Sequence, residues 1–336
     1  GIRDALVGLV GSEMCIRDRV LTNISHRLKN NPCVTFSTPM SFRFSFRIVL
    51  LCSAIFALML PSGGMADSRL ATTWRNTLTA AYAWQGESDL NGGGNFRVDR
   101  GVVQFKTATR IGQHWFAGFS ISYGEDRYRF NDTAGSFSPW QDIRSLQFGL
   151  PLRYLVNNKW VLFGLPLLRY AAEDGANLSD GREYGVIAGA SYRFSDRLSI
   201  GPGLGGFRGI GDEDDLFPVL FINWRMTDTL SLETGRGLAA TRGPGLALKW
   251  KPLQQWEFGL AARYEKYRFR LADSAGNIGQ DKSVPVIATA GWRSGPAFSV
   301  TALAGVEASG ALRLENSDGV FLSLIHISEP TRRRDS

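Results

Sequence analysis

Trp256-Glu257-Phe258-Gly259-Leu260-Ala261-Ala262-Arg263-Tyr264-Glu265 alternates two kinds of residue. Trp256, Phe258, Leu260, Ala262 and Tyr264 fall on one parity; Glu257, Gly259, Ala261, Arg263 and Glu265 fall on the other. An extended strand sends successive side chains to opposite faces, so this stretch has one greasy face and one polar face. The same split recurs from Glu183 to Phe194, where Ile187 is the exception, and from Ser145 to Tyr154, where Pro151 is the awkward member. Between 67 and 321 no apolar run approaches the roughly 18 residues of a membrane-spanning helix, and no stretch keeps a helical period.

Read this way, the chain contains thirteen strands, near 74–86, 97–111, 115–129, 142–155, 160–171, 183–194, 198–209, 216–226, 230–239, 244–251, 256–270, 283–293 and 297–308. Most reach the ~9–11 residues that a tilted strand needs to cross a bilayer. Strands of water-soluble proteins average nearer 5–6 residues. The gaps alternate as well. They are short after every even-numbered strand, as in Asn157-Asn158-Lys159, Ser195-Asp196-Arg197 and Thr227-Asp228-Thr229. After strands 1, 3, 5, 7 and 11 they are longer and rich in Gly, Asp, Asn and Ser; the short gap after strand 9 breaks the rule. Short turns at one rim and long loops at the other are expected of transmembrane barrels.

The short-turn rim has its own composition. Each turn opens near a basic residue (Arg110, Arg153, Arg193, Arg225, Lys251, Arg293) and stands close to an aromatic: Trp115, Trp160, Phe194, Trp224, Trp256 or Trp292. Trp115, Trp160, Trp224, Trp256 and Trp292 are therefore candidates for an aromatic girdle at a membrane interface. Strand parity turns Arg75, Lys106, Arg153, Arg193, Arg225, Lys249, Arg263 and Arg293 toward a lumen. Glu183, Glu233, Glu257 and Glu265 partly offset them there. The excess of cations predicts a mild preference for anions.

The ends of the chain read differently. Residues 9–19, LVGSEMCIRDR, and 322–332, LSLIHISEPTR, resemble peptides translated from the two strands of a sequencing adapter. Residues 1–39 and 322–336 are accordingly expected to stand outside the fold. Met40 opens a second pattern: Arg43 and Arg47, a 13-residue apolar run from Ile48 to Leu60, and Gly64-Met65-Ala66. That is a secretory signal over residues 40–66, too short to span a bilayer. A lipid anchor at Cys52 is disfavoured by the bulk of Leu51. The formal charge of the 336 residues is +7, but residues 67–321 carry only +2. A nucleic-acid partner argued from charge loses its footing. Cys15, Cys33 and Cys52 all precede residue 67, so the exported part has neither a disulfide framework nor a thiolate metal site.

On the alternation, the sorted gaps and the girdle, residues 40–321 resemble porin-like outer-membrane β-barrel proteins of Gram-negative bacteria. The resemblance implies an all-β, antiparallel, up-and-down transmembrane barrel of 12–14 strands in the bacterial outer membrane, with its N-terminus in the periplasm. It implies outer-membrane lipid, lipopolysaccharide and the barrel-assembly machinery as partners, and no cofactor. Such proteins usually end on an aromatic residue. Here Leu314 to Phe321 runs straight into the adapter-like stretch, so a closing strand is expected to be truncated.

Three constellations have residue types that can carry chemistry. Gly201-Pro202-Gly203-Leu204-Gly205-Gly206 has G-x-G-x-x-G spacing but opens no helix, so small residues facing a barrel interior account for it better than a dinucleotide. Asp212 to Asp215 lack the alternating ligand spacing of a calcium loop. His114 is the one histidine between 67 and 321, and neither neighbour, Gln113 nor Trp115, is a nucleophile or an acid. A Ser-His enzyme is therefore disfavoured. The leading expectation is a passive channel for small polar solutes. The alternative is a non-conducting structural or adhesion barrel that binds partners through its long loops.

Overall fold

The computed structural model describes residues 6–17, 74–90, 93–131, 138–211, 214–234, 245–272, 277–295, 297–316 and 321–326. The signal-like stretch 40–66 lies outside them. The described residues form one sheet of seventeen strands. In chain order these are β1 (Leu6–Arg17), β2 (Arg75–Asp89), β3 (Asn95–Ile111), β4 (Trp115–Asn131), β5 (Asp142–Gly149), β6 (Leu152–Leu155), β7 (Trp160–Glu173), β8 (Arg182–Arg193) and β9 (Leu198–Arg208). They continue as β10 (Asp214–Arg225), β11 (Leu230–Thr234), β12 (Gly245–Trp250), β13 (Trp256–Arg263), β14 (Glu265–Arg270), β15 (Ile278–Ser294), β16 (Phe298–Glu315) and β17 (Phe321–His326). Each of the thirteen strands read from the sequence has a counterpart among them; 235–239 of the ninth lie outside the described residues.

Neighbours pair antiparallel in up-and-down order, and the sheet closes on itself. β5 and β6 share one position between β4 and β7, and β13 and β14 share one beside β15. The last position is composite. β17 runs along the upper part of β16, and β1 continues below it, pairing with β16 on one edge and β2 on the other. Fourteen positions result around the ring. Residues 6–17, set apart in the sequence reading, thus lie in the wall. The free edges of β16 and β2 carry unpaired peptide groups, and an extended segment between them satisfies both.

The break between β5 and β6 falls at Leu150-Pro151, where proline has no N–H for the ladder. The wall stays closed because Leu150 N donates to Pro166 O and Gly118 N donates to Pro151 O. A Cβ at Gly118 would stand 2.6 Å from Thr107 O and 3.1 Å from the Pro151 ring, so the close approach requires glycine.

The outer surface carries an apolar band. Leu204, Leu216 and Leu260 are 58%, 76% and 54% exposed, far more greasy surface than water tolerates in one zone. Below the band, at the turn end, stand Trp74, Trp115, Trp160, Trp224, Trp250, Trp256 and Trp292, all exposed. Above it stands a second set: Tyr82, Trp84, Tyr123, Tyr170, Tyr184 and Tyr264. Trp115 to Tyr123, Tyr192 to Tyr184 and Trp256 to Tyr264 are each eight residues apart. At ~3.3 Å per residue and a tilt near 40° that is about 20 Å of height, close to the roughly 25 Å apolar belt of a membrane barrel.

Above the second girdle the alternation changes phase. On β4 the outward set Trp115, Phe119, Ile121 and Tyr123 gives way to inward, buried Tyr128. On β3, outward Val103 and Phe105 lie below inward Phe96 and Val98, each 1% exposed. Past the break at Tyr264, β14 buries Tyr267 and Phe269 on the parity that carried Glu257 and Arg263 lower down. The outer face at this level holds Arg97, Asp99, Glu125, Arg127 and Arg129 instead. Apolar side chains point away from water, so the change of phase marks the level at which water replaces hydrocarbon outside the wall.

The ring also narrows there. β12 pairs with β13 only as far as Arg263, and above it the free edge of β14 meets β7 in a parallel contact at Arg270↔Ala172. The described ladders of β8 to β12 end below this level. The up-and-down order is otherwise antiparallel throughout; this one parallel contact was not expected.

Candidate functional site

The interior of the ring is the candidate site, and it is built in three levels. At the loop end, Phe96 and Val98 of β3, Tyr128 of β4, Ile143 of β5, Ala171 of β7, Tyr267 and Phe269 of β14 and Leu312 of β16 form one buried cluster with Trp140. β4 and β14 are far apart around the ring, yet the Tyr128 and Phe269 ring centroids are 6.5 Å apart. Trp140, just before β5, packs edge-on against Phe269 at 5.1 Å and Tyr128 at 5.8 Å. The cluster therefore crosses the interior from wall to wall. Narrowing explains it: rings of about eight strands have just enough room for side chains to fill.

Beneath the cluster lies a polar belt. Arg100 of β3 donates to Asp281 of β15 at 2.9 Å and to Gln85 of β2 at 2.9 Å. The Tyr128 hydroxyl donates to Asp281 at 2.6 Å, and the Gln85 amide donates to Glu307 of β16 at 3.0 Å. Arg169 of β7 pairs with Glu183 of β8 at 2.5 Å and stacks over the Tyr267 ring. Charges withdrawn from water are held by partners here, as buried charges must be. The contacts of Asp281 with Arg100 and Tyr128, and of Arg169 with Tyr267, join strands distant around the ring, whereas Arg169–Glu183 and Arg100–Gln85 join neighbouring strands.

The ion pairs of the turn-side half are more exposed than those of the belt. Lys249 pairs with Glu233 at 3.0 Å and lies 3.8 Å from Glu257, which Lys251 contacts at 2.8 Å. Arg263 pairs with Glu265 at the upper edge of this zone. Arg75, Arg153, Arg193, Arg225 and Arg293 sit on inward parity at the turn end and Lys106 on inward parity midway up β3, opposite Ser120; all six are exposed, and Arg153 lies over the Phe116 ring. Of the ten residues assigned to the lumen, Lys249, Glu257, Arg263 and Glu265 are thus engaged with one another or with nearby charges, Lys106 lies midway up the wall, and the other five ring the turn-side mouth. Trp115, Trp160, Trp224, Trp256 and Trp292 stand outside the same rim.

One part of the interior was missed by the sequence reading. Inward parity on β7, β9 and β10 brings Phe163, Leu165, Phe207, Phe217 and Phe221 onto the inner wall, half-buried. Phe163 and Phe221 meet edge-to-face at 4.1 Å across β8 and β9, and Phe207 stacks on Phe217 at 6.0 Å. The G-x-G-x-x-G run is the floor beneath them: a Cβ at Gly203 would lie 2.6 Å from Phe221, and one at Gly205 2.4 Å from Phe217. The signal was present in Val161 to Leu168 and Leu216 to Trp224, which are apolar on both parities.

The remaining constellations are occupied by protein partners. Asp214 accepts from Arg208 Nε and a terminal Arg208 nitrogen at 2.8 and 2.9 Å. Asp215 accepts from Lys266; Asp212 and Glu213 lie outside the described residues. His114 sits in the turn between β3 and β4, 6.0 Å from the Tyr154 ring.

No protein family profile matches the chain, and no curated protein does. Among solved structures it is similar to the ferric yersiniabactin uptake receptor FyuA from Yersinia pestis, at 12% identity and a TM-score of 0.26. That match covers 73% of this chain and 50% of the receptor, so the chain spans about half the receptor's length.

Proposed function

We propose that the protein is an integral barrel of the bacterial outer membrane that keeps its interior shut toward the long loops. It serves, without enzymatic chemistry, as a non-conducting scaffold that presents those loops to a partner outside the cell. The membrane placement is supported by the apolar belt between two aromatic girdles and by the change of phase above it. The closed state is supported by one observation above all: the cluster around Trp140, Tyr128 and Phe269 joins opposite walls with side chains less than 3% exposed. A passive pore needs a continuous aqueous path, and wider rings than this supply it.

A second reading has the turn-side mouth in its favour. Arg193, Arg225 and Arg293 raise the local anion concentration, so a barrel whose seal opens would pass small anions in preference to cations. Planar-bilayer recording of the full chain, with folding checked by its heat-dependent gel shift, separates the two. The scaffold reading predicts no conductance steps. Regular steps that favour Cl⁻ over K⁺ would overturn it in favour of the channel.

A further inference from the structure

We infer that the turn-side chamber binds a single-chain anionic amphiphile, a long-chain fatty acid, with its carboxylate between Arg193 and Arg225 at the mouth and its tail along the aromatic inner wall. The inference rests on the proposed reading that the chamber is blind at the loop end. Charge is its first support. Arg193, Arg225 and Arg293 are inward and exposed and make no ion pair among the described residues. Two acids of this rim are held by other cations, Asp228 by Arg197 and Glu257 by Lys249 and Lys251. Like charges gathered at one rim repel, and an anion placed among them relieves that repulsion.

Shape and polarity supply the second support. The apolar inner wall begins directly above Arg193 and Arg225, at Phe163 and Phe221, and ends at Phe207 and Phe217. From Arg225 to Phe217 along β10 is about 26 Å at ~3.3 Å per residue, the reach of a long acyl chain. The sector spans only β7 to β10, about 14 Å at ~4.8 Å between strands, which suits one chain rather than the two of a phospholipid. Glycines let the phenyl rings lie flat against β8 and β9, so the wall is greasy without filling the lumen. A solute pore has no use for such a surface; an acyl tail does.

Titration of the full chain in amphipol with cis-parinaric acid, which fluoresces when its tail leaves water, tests this directly. The expected result is saturable binding of about one molecule per barrel, with its methyl ester at least about tenfold weaker because it lacks the charge. The double variant Arg193→Glu/Arg225→Glu should weaken the acid by at least about tenfold and the ester much less. Arg129→Glu, on the outer face at the loop end, should leave binding unchanged. Equal binding of acid and ester, or unchanged affinity in the double variant with the barrel folded, would overturn the inference. A barrel that conducts yet binds saturably contradicts only the scaffold reading; a silent barrel that does not bind contradicts only this one.

Discussion

Leu260 and Ala261 are consecutive on β13, the first exposed on the outer face midway between Trp256 and Tyr264 and the second on the inner face. Leu260→Arg should therefore destabilise the barrel by about 2–4 kcal/mol, the cost of a cation near the bilayer midplane, measured by urea unfolding in liposomes. Ala261→Ser should change it by well under 1 kcal/mol, as lumen substitutions do. The reverse ranking would mean that the register is displaced by one residue. The same parity governs the glycines of β9. Gly203 and Gly205 face inward beneath Phe221 and Phe217, while Leu204 between them faces out.

At the scale of the element, a strand here is two segments with different outer solvents. β13 and β14 keep one register against β15, with Ala262↔Val286 followed by Glu265↔Ser283, so the wall does not kink at Tyr264. What changes is the face that carries apolar residues. Trp140→Ala should cost about 3–5 kcal/mol, because the side chain is 1% exposed and packed against rings from opposite walls. If the cluster is the seal, Trp140→Ala/Phe269→Ala should also show conductance steps that the parent chain lacks; silence in a folded double variant would place the barrier lower, in the polar belt.

Much of this was legible beforehand, because alternation over long strands and the sorting of gaps are imposed by the bilayer on every crossing. The strand positions and the aromatics at the turns follow from that rule alone. The seal was not legible, for a physical reason. Tyr267, Phe269 and Phe96 continue an alternating pattern, and only contact between β4 and β14, distant in sequence, turns them into a cluster. Phe163 and Phe221 were hidden for a related reason: a strand greasy on both faces does not announce which face meets lipid. Pro151 was noticed as awkward, and it sits at the break between β5 and β6.

For the molecule as a whole, these pieces describe a ring of fourteen positions at the turn end that narrows toward the loops as β14 closes on β7. Width sets the contents. The wide half holds paired charges and a cation-lined mouth, and the narrow half is filled. The central claim is that the belt between the two girdles faces hydrocarbon while the alternate residues face the interior. Spin labels placed singly at every position from Trp256 to Phe269, with the protein in liposomes, test it most directly. The account predicts oxygen accessibility peaking at 256, 258, 260, 262 and 264, minima at the odd positions between, and loss of the oxygen peaks beyond 264. Accessibility that repeats every three to four residues, or that is equally high in water-soluble relaxant at 258, 260 and 262, would contradict it.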